Sequence, residues 1–417
     1  MLNFTQNDIT NIMSKQPLFE IGLIGHVSTG KSSTIKHLTG IVTDTHSKGK
    51  GEGRNFSVKT GYANMKIWKD LSNELSTINN NNNCELVHNI SLIDCPGHQD
   101  LIINMMSSVS SMKGVIVVVS SAEPIEEQIQ LKQHLITIKI AGIKKIIIVF
   151  NKLDLVSKEK ANLRKEELDE YLQKLGIVPN YIIPTVINKK LGLSNLIKAI
   201  MELFPPQLYF NESSNVLFKV TRSFDVNKPG TDWDKISGGV FGGTLNCGKM
   251  SVGDEIEIRP GQWTSDSDGN FVVNPIKTKI ITLQSNKEQL SEIYPGCLSA
   301  IGSDIDPFFC KDDRLVGSLV GFINKLPNVY QYINLKFTLT PENENKWIPK
   351  INDKISLQIG NSNTEANIEE IKEEIYTLKL FKPVCINDND LILICNKFNQ
   401  ILKIVGYGNF LYGKKLL

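Results

Sequence analysis

One short stretch limits the folds open to this chain more than any other: IGLIGHVSTGKSS, residues 21–33. An apolar segment, Phe19 to Ile24, runs into Gly25, then four residues, then Gly30, Lys31 and Ser32. This is the phosphate-loop spacing G-x-x-x-x-G-K-[ST], with an apolar strand before it and a helix (Ser32 to Leu38) expected after it. Glycines let successive backbone N–H groups converge on phosphate oxygens, and the helix offers them its positive end. Lys31 is placed to reach the β- and γ-phosphates, and the Ser32 hydroxyl to bind magnesium. The alternative is an ordinary Gly-rich strand-to-helix turn, and the residues downstream argue against it.

From residue 18 to about 206, strand-length apolar runs alternate with helix-length segments. The expected strands are Phe19–Ile24, Gly61–Trp68, Ile90–Ile93, Gly114–Ser120, Lys145–Phe150 and Tyr181–Val186. The expected helices between and after them include Leu101–Met112, Glu126–Ala141, Lys158–Leu175 and Leu191–Phe204. Such alternation predicts an α/β domain: a mostly parallel sheet with helices on both faces and ligands beyond the strands' carboxyl ends. Residues 1–17 read as a polar lead-in ending at Pro17, and Pro205-Pro206 closes the α/β unit. Beyond it, short alternating runs such as VLFKVTRSF, DEIEIRP, YINLKFTL and DLILIC are spaced by Gly, Pro, Asn and Asp. They predict two small β-barrels, residues 213–326 and 327–417, joined near LPNVYQ.

A chain of 417 residues is too long for one core, since domains run to about 150 residues each. The net charge of +2 carries no bulk signal for nucleic acid, so any RNA contact must come from local patches. Seven scattered cysteines without a C-x-x-C pair argue against a disulfide framework and for a reducing, cytoplasmic compartment. No run approaches membrane-span length, VIVVV at 115–119 being among the longest, and MLNFTQNDIT is no signal peptide. The Gly- and Lys-rich stretch 45–56 reads as a functional or disordered loop beside the nucleotide, or both, and INNNNN at 78–83 as a solvated insertion.

Two further motifs give the loop its chemistry. In DCPGH, residues 94–98, Asp94 at a strand end can hold magnesium through water, and Gly97 can bring its N–H against a γ-phosphate. In NKLD, residues 151–154, the Asp154 carboxylate can accept both the ring N–H and the exocyclic amine of guanine. Adenine would leave that carboxylate unpaired, a discrimination on the order of 10⁴. Lys152 can lay its stem across the base. Together the three motifs specify a guanine-nucleotide GTPase. Ser57 can close onto magnesium with the triphosphate and let go on hydrolysis, or be a surface serine. His98 can orient the attacking water, or be a silent helix-start residue.

At these residues the chain resembles the translational GTPases, and within them the gamma subunit family of eukaryotic and archaeal translation initiation factor two. RNFSVKTGYANMKIWK resembles that family's first switch and following strand. TRSFDVNKPG, GGVFGGTL, VGDEIEIRPG, IDPFFCKDDRLVG and KPVC resemble its two barrels. The resemblance spans about residues 18–412 and implies a P-loop GTPase domain followed by two small β-barrel domains. It further implies a GTP-dependent carrier of initiator methionyl-tRNA to the small ribosomal subunit, working with alpha and beta subunits and with GTPase-activating and exchange factors, away from any membrane. By the same resemblance Gly25, Ser28, Thr29, Gly30, Lys31, Ser32, Ser33, Asn151, Lys152, Leu153, Asp154, Val186, Ile187 and Asn188 line GTP or GDP. Ser32 and Ser57 bind Mg2+, with Asp94 behind water, and His98 beside Gly97 stands at the hydrolytic position. Tyr62, Asn64 and Lys66 lie on a strand edge near the tRNA groove that the resemblance implies.

The chain departs from the family at four places. Ser57 replaces a threonine, Val186-Ile187 replaces the Ser-Ala that supports the base-reading carboxylate, and residues 45–53 follow no family pattern. Cys84 stands alone where relatives often carry four zinc-binding cysteines, so no zinc is expected. Two other readings stay open at this point. One is an elongation or selenocysteine-type aminoacyl-tRNA carrier, against which FDVNKPG and GYANMK stand. The other is a non-cycling tRNA- or subunit-binding decoy, against which the intact GTP motifs stand.

Overall fold

The computed structural model describes residues 4–43, 61–79, 83–95, 109, 111–208, 215–286, 288–296, 298–340, 347–388, 390–398 and 401–417. Ser57, Gly97, His98 and the expected helix Leu101–Met112, apart from residues 109, 111 and 112, lie outside them, as does all of the Gly- and Lys-rich stretch 45–56. The chain divides into two compact units, Asn3–Leu208 and a second built from Tyr209–Leu417 with the first two residues.

The first unit is built on a seven-stranded mixed sheet. In chain order its strands are β1 (Glu20–Ile24), β2 (Gly61–Lys69), β3 (Leu75–Ser76), β4 (Glu85–Asp94), β5 (Gly114–Ser120), β6 (Ile146–Asn151) and β7 (Tyr181–Pro184). Their spatial order is β3-β2-β4-β1-β5-β6-β7, parallel from β4 through β7, with β2 and β3 antiparallel at one edge. Every residue of β1, β5 and β6 is buried, which is why these strands read as unbroken apolar runs. β2 alternates buried Ala63, Met65 and Ile67 with half-exposed Tyr62, Asn64 and Lys66, as an outer antiparallel strand should.

Helices cover both faces. α1 (Gln6–Lys15), α2 (Lys31–Thr39) and α5 (Leu193–Leu203) pack Met13, Ile35, Leu38, Leu196 and Ile200 onto one face. α3 (Ile129–Ile140) and α4 (Lys158–Leu175) pack Leu131, Leu135, Leu168, Leu172 and Leu175 onto the other. Each such side chain, buried from water, contributes about 1.5–3 kcal/mol. The stripe Leu168, Leu172, Leu175 follows the helical period, Ser157 caps the start of α4 through the Lys160 amide, and Gly176 closes it in left-handed backbone.

The lead-in expected over residues 1–17 is instead largely α1. Thr5 and Asp8 form a reciprocal capping box, and Ile9, Ile12 and Met13 turn to the core. Asn89 of β4 donates to the Met13 carbonyl at 2.8 Å. β4 also begins earlier than its apolar run, and α5 starts at Leu193 because Gly192, at φ 84°, turns the chain where a Cβ would meet the Pro184 carbonyl at 2.5 Å.

In the second unit, strands Leu217–Phe224, Val240–Cys247, Glu255–Ser265, Phe271–Ser285, Leu298–Ser303 and Leu319–Phe322 form a ring, closed by pairing of Glu255–Ser265 with Phe271–Ser285. Phe218, Phe241, Ile256, Ile258, Ile280 and Ile301 fill it. Strands Val329–Leu339, Lys354–Ile359, Ser362–Lys372, Ile375–Cys385, Leu391–Phe398 and Ile401–Lys415 close a second barrel around Ile333, Leu357, Ile368, Leu380, Ile394 and Phe410. Closure removes the free edges that short strands would otherwise expose.

Candidate functional site: a phosphate loop strapped to two strand-end loops

The loop after β1 is shaped by residues that tolerate its backbone. Gly25 takes φ 145°, and a Cβ there would lie 2.2 Å from the Val118 carbonyl of β5. Ser28 and Gly30 follow at φ 60° and 108°, and Gly30 is the N-cap of α2. The Lys31 amine folds inward, donating to the carbonyls of Gly25 at 2.9 Å and His26 at 2.6 Å. The loop thus forms a ring around one buried cation, at the positive end of a helix. Such an arrangement suits an anion.

Ser32 is the second residue of α2, and its hydroxyl donates to Asp94 Oδ2 at 3.0 Å across 62 residues of chain. Asp94 ends β4 beside β1 and is nearly buried. Thr43 donates to the same oxygen at 2.5 Å. A hydroxyl and a carboxylate held together at the mouth of the ring are hard oxygen donors, the kind magnesium takes. Among the described residues no group of three His, Cys, Asp or Glu gathers in a metal-binding cluster, and Cys84 stands half-buried just before β4.

β6 delivers the third part. Asn151, its last residue, donates to the Thr29 carbonyl at 2.9 Å and accepts from the Ile187 amide at 3.1 Å and the Thr185 hydroxyl at 3.3 Å. One buried amide therefore ties the loop after β1 to the loop after β7. Lys152 follows in left-handed backbone, and Leu153, Asp154 and Leu155 make a 3₁₀ turn with the Leu155 amide on the Lys152 carbonyl. After β7, Ile187 is fully buried and Ile187–Lys189 form a second 3₁₀ turn. The Lys189 amine lies 3.1 Å from Asp154 Oδ2.

The structure brings together Gly25, Ser28, Thr29, Gly30, Lys31, Ser32 and Asp94, with Asn151 joining them to the segment 185–187. Ser33 lies in the first turn of α2, Lys152 stands 3.9 Å from Glu123, and Asn188 is exposed between Ile187 and Lys189. The Ile187 amide is engaged by Asn151. Tyr62, Asn64 and Lys66 share one face of β2, and Lys66 donates to the Ser14 carbonyl of α1 at 3.3 Å.

Four residues of this site carry no motif. His134 of α3 is buried and accepts from the Gly25 amide through Nδ1 at 3.1 Å. Burial, with Lys31 and His26 nearby, pushes its pKa down to about 3, so it is neutral with its proton on Nε2. Burial likewise lowers the pKa of His26. Thr43, Thr185 and Lys189 also escape the motif reading. Only Thr185 had a signal, a hydroxyl one position before Val186, where the family's serine is expected.

Residues 16–206 match the elongation factor Tu GTP binding domain, and residues 332–410 match initiation factor eIF2 gamma, C terminal. The chain is 35% identical to the eukaryotic translation initiation factor 2 subunit gamma of Encephalitozoon cuniculi, over 96% of this chain and 94% of that protein. It is 35% identical to the translation initiation factor 2 subunit gamma of Methanocaldococcus jannaschii, over 95% and 98% respectively. Its fold is similar to a crystal structure of translation elongation factor SelB from Methanococcus maripaludis in complex with a GTP analogue, at TM-score 0.71 and 19% identity, covering 96% of this chain and 80% of that one. A bacterial selenocysteine-specific elongation factor is similar at TM-score 0.70 and 22% identity, covering 95% of this chain and 59% of that one. At these identities the two structures speak for the fold alone.

Proposed function

The chain belongs to the gamma subunit family of translation initiation factor two, a family of translation initiation GTPases, and on that premise we propose that it carries initiator methionyl-tRNA to the small ribosomal subunit under the control of GTP. The observation that carries the proposal is the joining, in one chain, of a GTPase domain and the gamma-type C-terminal barrel. The alpha and beta subunits, the GTPase-activating and exchange factors, and a cytoplasmic setting follow from the same reading. Among the described residues no helix is long and apolar enough to cross a membrane.

The site supports the nucleotide part of this reading. Lys31 and the amides of residues 28–33 hold the phosphates, since the ring around Lys31 already concentrates positive charge there. Ser32 and Asp94, whose side chains already meet, would hold magnesium with Ser57 from outside the described residues, Asp94 through water. Bound there, magnesium would supply charge neutralisation to the phosphates. Asn151 keeps the phosphate loop and the segment 185–187 in register, Asp154 reads the guanine edge, and Lys152 covers the base with Leu153, Val186, Ile187 and Asn188 around it. Gly97 meets the γ-phosphate and His98 orients water, so that hydrolysis withdraws a contact only the triphosphate makes. Tyr62, Asn64 and Lys66 present the half-exposed face of β2 to tRNA.

The test is binding of methionylated initiator tRNA to the purified chain, alone and with alpha and beta subunits, in a GTP analogue and in GDP. Tighter binding with the triphosphate, and weaker binding of elongator methionyl-tRNA, is expected. Equal binding in both nucleotides would sink the carrier reading and favour a non-cycling binder.

A further inference from the structure

We infer that Lys189 is a positioning residue for guanine recognition, holding the Asp154 carboxylate in the orientation that reads the base. The inference rests on the nucleotide reading above and goes beyond it by naming a side chain that none of the motifs contains.

A carboxylate reads guanine by accepting two N–H donors at once, so both of its oxygens must face one edge of the base. A carboxylate free to rotate about its last bonds loses that orientation and must regain it on binding. A hydroxyl at position 186 could fix it, but the side chain there is Val186, nearly buried and without a donor. Among the described residues the group that holds Asp154 is the Lys189 amine, 3.1 Å from Oδ2.

The backbones under both partners are fixed. Asp154 sits inside the 3₁₀ turn that starts from left-handed Lys152. Lys189 ends a turn whose Ile187 is buried, whose Ile187 amide is bound to Asn151, and whose Lys189 amide donates to the Val186 carbonyl at 2.9 Å. A bridge between Val186 and Leu191 closes that loop. The lysine therefore reaches Asp154 from an anchored base. Each carboxylate oxygen has two lone pairs, so Oδ2 can keep the lysine and still accept from the base. The lysine side chain is 61% exposed and Asp154 28%, so the pair adds little to folding. Its effect falls on orientation.

The experiment titrates the whole chain with fluorescent GTP, GDP and xanthosine triphosphate, for wild type, Lys189→Ala, Lys189→Arg, Asp154→Asn and the Asp154→Asn, Lys189→Ala double variant. Lys189→Ala is expected to weaken GTP and GDP alike by about three- to tenfold, with an unchanged melting temperature. Lys189→Arg, which keeps the cation, stays within about twofold. On the Asp154→Asn background, read with xanthosine triphosphate, Lys189→Ala has no further effect, because the lysine acts through the carboxylate. Wild-type affinity in Lys189→Ala, or an equal loss on the Asp154→Asn background, would overturn the inference. Failure of the wild-type chain to bind any guanine nucleotide would overturn the nucleotide reading itself, and this inference with it.

Discussion

The amide of Gly25, first glycine of the phosphate loop, donates to Nδ1 of His134, a neutral histidine 109 residues further along the chain. The bond braces the loop from a buried side chain, where no solvent can replace it. His134→Ala should leave that amide unpaired beside a small cavity and lower stability by about 2–4 kcal/mol. His134→Gln, whose carbonyl can accept the same N–H, should recover part of the loss. Thermal melts with and without GDP check this, and equal losses in both variants would show that volume matters and the hydrogen bond does not.

Two buried histidines set an acid sensitivity. His88 donates from Nε2 to the Phe204 carbonyl at 2.7 Å and accepts from the Asn89 amide, and burial pushes its pKa down to about 4. His134 lies at about 3. In the unfolded chain both titrate near 6.5, so below that pH the unfolded state takes up protons that the folded state refuses. The stability they contribute is complete above pH 6.5 and falls as pH drops towards their folded values. By pH 5 each should remove about 2 kcal/mol. Melting of the Asn3–Leu208 unit at pH 7 and 5 reads the slope, and His88→Gln should remove about half of it.

Gly30 separates a steric demand from a conformational one. A Cβ there would lie 2.5 Å from Asn151 Nδ2, against the amide that ties the phosphate loop to the loop after β7. Gly40, past the end of α2 at φ 73°, has open space around its Cβ position. Gly40→Ala should lose about 1 kcal/mol for left-handed backbone alone. Gly30→Ala should lose more stability and in addition weaken nucleotide binding at least tenfold. Nucleotide titration of the two variants separates them, and equal affinity would contradict the strap.

How much of this site is legible in sequence depends on how local each contact is. Gly25, Gly30, Lys31 and Ser32 act within one turn of backbone, so their spacing carries their geometry. Asp94 and Asn151 are legible because each ends a strand whose apolar run announces it. His134 has no such announcement, since its partner lies on another element and a single histidine in an apolar helix has many uses. Lys189 reads as an ordinary surface lysine until Asp154 is seen beside it. α1 was legible in part. Its capping pair Thr5 and Asp8 and its stripe Ile9, Ile12, Met13 are helical signals, hidden by a polar composition that suggests a tail.

Arg259 makes the last prediction. In the first barrel its guanidinium pairs with Glu257, both nearly buried, and its Nη1 donates to the carbonyls of Leu326 at 2.9 Å and Pro327 at 3.0 Å, on the segment that leads into the second barrel. The other Glu257 oxygen accepts from the Asn324 amide at 2.9 Å. Two more buried polar side chains cross the same junction: Asn361 donates to the Val220 carbonyl at 2.9 Å, and Gln331 donates to that of Gly269 at 2.8 Å. The barrels should therefore melt as one transition. Arg259→Met should destabilise them by about 3–5 kcal/mol, because it leaves Glu257 buried without its partner and two carbonyls without donors. Lys354→Ala, which breaks an exposed pair with Glu365, should change stability by less than about 0.5 kcal/mol. Calorimetry of the two variants decides the matter: a second, separate barrel transition already present in the wild type would show that these contacts do not couple the barrels.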